Sequence, residues 1–229
     1  MWWAFQSPAV PAGTFAKVDI GAGTTNASVF RIGQTYSNDR WVKSRLVFYG
    51  AGSSPIGMDA LDEALSHWKA SDPKQCLQYR GREDSLLSDQ HAVEFCGETL
   101  DGIVLASRVP WKQLKQKLGG YVGRDRDWRE CRTFLIGGGS LVHELRRELP
   151  VYPFDKTVRF RVQDLEAPPD LRTMDLNPVD REALPFVLVA YGLSQLGLAI
   201  PEVNTPDEVE ALPPMRIRQL PDHEDLYPP

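Results

Sequence analysis

Lys17-Val-Asp-Ile-Gly-Ala-Gly-Thr-Thr-Asn-Ala-Ser-Val-Phe-Arg-Ile32 is the stretch whose reading decides the fold. An apolar strand runs into Asp19, crosses two glycines one residue apart, passes two threonines and leaves as a second strand. A carboxylate at a strand end can point into a cleft. Gly21 and Gly23 are expected at φ > 0, where the backbone comes close to a ligand. The amides of such a turn, Ala22 included, form a concave nest for an anion, and Thr24 and Thr25 add hydroxyl donors. A carboxylate beside an anion site implies a metal ion between them, because two bare negative groups repel.

Working outward, residues 14–20 and 26–32 read as strands, 33–40 as a polar loop and 41–49 as a third strand, giving an antiparallel meander. Residues 50–55 read as a flexible connector to a helix carrying Leu61, Leu65 and Trp68 at i, i+4, i+7, which Ser71-Asp-Pro73 ends. Residues 79–90 are charged and read as a surface loop; 92–118 read as helical, with a break or restart at Pro110. Residues 132–136 form a short apolar strand that runs into Gly137, Gly138 and Gly139. Ser140 is expected to cap a helix bearing Leu141, Leu145 and Leu149. A strand, glycines and a helix N-terminus make an anion- or ribose-facing geometry. Residues 157–162 alternate as a further strand, and 186–198 are apolar nearly all round, as in a buried helix.

The chain has 229 residues, enough for one good core or two small ones. A net charge of −5 gives no electrostatic footprint for nucleic acid. No apolar run is long enough to span a bilayer, and Met1-Trp-Trp-Ala-Phe lacks the basic start and apolar core of a signal peptide. Cys76, Cys96 and Cys131 are odd in number and without metal-ligand spacing, which fits reduced thiols and a cytoplasmic location. His143, His67 and His91 read as surface residues, Lys112 to Lys117 as a solvated face, and Trp111 and Trp128 as packing anchors.

At Asp19-Ile-Gly-Ala-Gly-Thr-Thr25 the chain resembles the second phosphate-binding hairpin of the actin, Hsp70 and FtsA superfamily of ATPases. Phe134-Leu-Ile-Gly-Gly-Gly-Ser-Leu-Val-His-Glu-Leu145 is similar to that superfamily's adenosine motif, and Val187-Leu-Val-Ala-Tyr-Gly-Leu-Ser194 to the small-residue helix that follows it. Gly57-Met58-Asp59 resembles the point where the family's chain leaves the hairpin for a helix. The resemblance is to the C-terminal lobe. It implies an α/β, ribonuclease-H-like lobe, a five-stranded mixed sheet in the order β-β-β-α-(insertion)-β-α-β-α.

The resemblance further implies ATP and Mg²⁺ as cofactors. Gly21, Ala22, Gly23, Thr24 and Thr25 would hold phosphate, Asp19 would face the metal, and Thr24 would help place the attacking water. Gly137, Gly138, Gly139 and Ser140 would contact the adenosine. Asn26 stands where the family often has Asp, so one charge is lost. The family binds its nucleotide between two lobes, and only 18 residues precede Asp19. The expectation is therefore half a site, to be completed by an N-terminal lobe or another protein partner, with slow or no hydrolysis by the isolated chain. The alternative is a degenerate, non-catalytic lobe that serves as a protein-interaction module. The expected organisation is an aromatic N-terminal extension (1–13), the first part of the lobe (14–68), an inserted helical subdomain (69–130), the second part (131–200) and a Pro/acidic tail (201–229).

Overall fold

The computed structural model describes residues 4, 5, 7–59, 90–118, 130–152, 158–164 and 203–204. The expected helix at Leu61, Leu65 and Trp68, the helix over 186–198, and Trp2, Trp3 and Trp128 lie outside the described residues.

β1 (Gly13–Ile20), β2 (Thr25–Ser37) and β3 (Arg40–Ser54) are successive antiparallel strands. α1 (Gln90–Leu118) follows, then β4 (Glu130–Ile136), a 3₁₀ turn (Gly138–Leu141), α2 (His143–Glu148), β5 (Arg159–Gln163) and β6 (Val203–Asn204). The sheet order is β5-β4-β1-β2-β3-β6, with β4 parallel to both β1 and β5. Five of these strands make the mixed sheet of a ribonuclease-H-like lobe, the α/β architecture of the actin-like ATPases. β6 is an addition: Val203 and Asn204, expected within an extended tail, pair in parallel with Leu46 and Val47.

Three further expectations need correction. Residues 33–37 are strand rather than loop, because β2 and β3 continue as a hairpin arm closed by Asn38 and Asp39. Both turn residues have positive φ (50° and 58°), the geometry whose twist matches paired strands. The stretch 50–54, read as a connector, is the end of β3 and pairs with residues 25–29 of β2. Pro110 does not break α1. A proline leaves the carbonyl four residues earlier without its helical donor. Here that carbonyl, Ala106 O, faces Gly52, whose missing Cβ would lie only 2.3 Å away.

Strand alternation sorts the core into two faces. On one face Val18, Ile20, Ala27, Val29, Leu135 and Phe160 pack with Ile103, Val104 and Leu114 of α1 and Leu145 and Leu149 of or beside α2. On the other, Phe15 stacks between Phe30 and Phe134 at centroid distances of 5.7 and 5.5 Å. Ala4 and Val10 of the N-terminal segment join that cluster. Lys43 fastens the segment there, donating to the carbonyls of Ala4, Phe5 and Ser7 at 3.1, 3.0 and 2.6 Å. No helix among the described residues is long and apolar enough to cross a membrane.

Candidate functional site

The register of β1 decides where the two glycine bends meet. Asp19 is the Cα partner of Asn26 on β2 and of Ile136 on parallel β4. The bends after β1 and after β4 therefore leave the sheet at the same end. At Gly137 the contact is close: an added Cβ would stand 2.7 Å from Asp19 Oδ1 and 2.5 Å from Ile20 O. Its φ of 77° is also one that L side chains rarely adopt. Both terms require glycine, and together they seat the Asp19 carboxylate against the second bend.

The first bend is built differently from the sequence expectation. Gly21 and Gly23 are not among the glycines with positive φ. The turn closes through Gly21 N–H donating to Thr24 O at 2.9 Å. The carbonyls of Gly21 and Ala22 accept from Met58 N–H (2.9 Å) and Asp59 N–H (2.8 Å). Ala22, Gly23 and Thr24 are exposed. Among the described residues, their amides have no hydrogen-bond acceptor. Among the described residues, a Cβ on Gly23 would find nothing nearer than Asp59 Oδ2 at 3.9 Å. Packing among the described residues thus does not explain glycine at that position, whereas a ligand resting on the backbone would.

Two of the expected site hydroxyls turn inward. Thr25 is fully buried, and its hydroxyl donates to Ile56 O at 2.7 Å. Its side chain is spent on holding the chain that leaves β3. Ser140 is also buried and does not cap α2. Its hydroxyl donates to Gly137 O (2.7 Å) within the 3₁₀ turn, while Val142 precedes α2 without a side-chain cap. Gly137, Gly138, Gly139 and Ser140 are all buried. Thr24 keeps an exposed position, its hydroxyl accepting from Asn26 Nδ2 at 3.3 Å.

Asp19 brings a carboxylate to the second bend, as Asp59 does beside Gly23 in the first. The Asp19 side chain is 26% exposed, and Lys17 Nζ lies 3.6 Å from its Oδ2. Among the described residues no group of three or more His, Cys, Asp or Glu gathers to hold a metal. Any Mg²⁺ here would take most of its ligands from phosphate and water, which is this ion's habit. Gly57, Met58 and Asp59 are the residues whose part was missed. Their sequence signal is slight, a glycine just before a helix start, and their importance comes from contacts across the fold.

Sheet order and adjoining bends define an α/β lobe with a mixed, ribonuclease-H-like sheet. No family model matches the chain, and no curated protein does. It is similar to the crystal structure of the ethanolamine utilization protein EutJ from Carboxydothermus hydrogenoformans, at 13% identity and a TM-score of 0.37, covering 69% of this chain and 47% of that one. It is also similar to a structure of the PilM-PilN type IV pilus biogenesis complex, at 14% identity and a TM-score of 0.44, covering 82% of this chain and 50% of that one. The chain thus spans about half the length of each solved structure. These are likenesses of shape, and no residue of the site rests on them.

Proposed function

We propose that this chain binds Mg-ATP where β1 and β4 end, as half of the nucleotide site of an Hsp70- or actin-like ATPase. One observation carries the reading: an exposed glycine turn with three amides unengaged among the described residues lies beside a carboxylate that touches a second glycine bend. The amides of Ala22, Gly23 and Thr24 would hold the β- and γ-phosphates, as backbone nests hold anions. Asp19 would face Mg²⁺ through water, and the metal would neutralise charge on the phosphates. Thr24 Oγ1 would orient the attacking water, Gly21 would close the phosphate-holding bend, and the buried Gly137, Gly138, Gly139 and Ser140 would shape the cleft around the nucleoside. A complementary N-terminal lobe or another protein would supply the opposite wall, so hydrolysis by this chain alone is slow or absent. Isothermal titration calorimetry tests this: Mg-ATP should give a saturable heat and adenosine a much smaller one. Absence of any Mg-ATP heat overturns it.

A second reading, a non-catalytic lobe that binds a protein partner, is favoured by the Lys17–Asp19 pair. The ammonium already supplies the positive charge a metal would bring. Lys17→Gln separates the two. Under the first reading the variant still binds Mg-ATP and depends more steeply on Mg²⁺; under the second neither form binds.

A further inference from the structure

Residues 57–59 hold the first bend by main-chain hydrogen bonds, with the Asp59 carboxylate beside Gly23, and they determine which way it faces. In a trans peptide the C=O of one residue and the N–H of the next point in opposite directions. Gly21 O is held by Met58 N–H and Ala22 O by Asp59 N–H. Those two bonds leave the N–H groups of Ala22 and Gly23 directed away from the helix start, toward the exposed side of the turn. Gly57 permits the approach: a Cβ there would lie 2.1 Å from Ala22 O and 2.5 Å from Thr24 N. Thr25 Oγ1, bonded to Ile56 O, secures the same segment from the strand side. Met58 also reaches the second bend, its buried side chain placing Sδ 3.0 Å from where a Cβ of Gly139 would be.

We infer that residues 57–59 are a positioning clamp that turns the bend after β1 into an anion receptor and couples it to the bend after β4. This rests on the nucleotide reading above. The phosphate end of the ligand is the part that depends on it, because the clamp orients amides and adds no contact to a nucleoside.

Hydrogen exchange and calorimetry test it on the full chain. In the wild type the Met58 and Asp59 amides should exchange slowly. Those of Ala22 and Gly23 should exchange fast until Mg-ATP is added. Gly57→Ala forces a Cβ into the clamp. Asp59→Pro deletes one clamp donor at a helix start, where proline is tolerated. Each should weaken Mg-ATP by about tenfold or more, the effect of losing one or two oriented hydrogen bonds. Protection in β1 and β4 should persist, and Gly97→Ala, with open space around its Cβ, should bind as the wild type does. Fast exchange at Met58 and Asp59 in the wild type overturns the clamp, as does unchanged affinity in both variants. If the wild type binds no Mg-ATP, the nucleotide reading fails by itself. The clamp is then judged by whether Gly57→Ala releases the Met58 and Asp59 amides.

Discussion

Two glycines at the same end of the sheet have opposite reasons for being glycine. Gly137 combines a φ of 77° with a neighbouring carbonyl 2.5 Å from any Cβ. Gly137→Ala should destabilise the fold by about 1–3 kcal/mol from backbone strain alone, read by urea denaturation. Gly23 has room. Gly23→Val should leave the denaturation midpoint nearly unchanged and abolish Mg-ATP binding in calorimetry, since its side chain would fill the space above the bare backbone. Asp19 and the glycine turn were legible in the sequence because a strand, a carboxylate and paired glycines stand in one contiguous run. The inward turn of Thr25 was not, because its partner Ile56 lies 31 residues away. Nor was the clamp, which consists of main-chain contacts that side-chain identity does not announce.

Among the elements, strands with clear alternation were readable and the hairpin arm was not. Residues 33–37 carry polar side chains that resemble a loop, yet strand pairing with β3 satisfies their backbone. The glycines of 50–54 suggested flexibility, but they form the surface on which α1 lies. Gly52→Ala would drive a Cβ to 2.3 Å from Ala106 O and push the helix off the strand. Overpacking of this kind costs about 1–3 kcal/mol, measurable as a lower urea midpoint. The carbonyl that Pro110 leaves without its helical donor, Ala106 O, is the one that faces Gly52. Sequence periodicity found α1 and misjudged its proline because only the strand beneath reveals where that carbonyl goes.

Across the molecule, burial of acids sets the response to alkali. Burial pushes the Cys131 thiol from an ordinary 9.0 up to about 12, and burial with nearby Glu144 and Glu148 does the same for Cys96. A raised value means that stability is intact below the unfolded value and is lost as pH climbs through the folded one. Between 9.0 and about 12 the loss from Cys131 should approach about 1.4 kcal/mol per pH unit. Tyr49, raised chiefly by burial, acts in the same direction, and Lys43, lowered by burial, in the opposite one. Denaturation midpoints should therefore fall with rising alkalinity, and Cys131→Ala should flatten that fall. Neither buried thiol should react with a thiol reagent in the native protein.

The fastening of the N-terminal segment is indifferent to the side chains it holds. All three acceptors of the Lys43 ammonium are main-chain oxygens. Replacing Lys43 by Met should speed proteolytic cutting ahead of β1, while Ser7→Ala, which keeps the main-chain acceptor and adds no bulk at a buried position, should not. Where the segment packs, at Ala4, Phe5, Val10 and Ala12, apolar character is required; the tether itself asks nothing of those side chains, provided a single cation on the neighbouring ribbon endures.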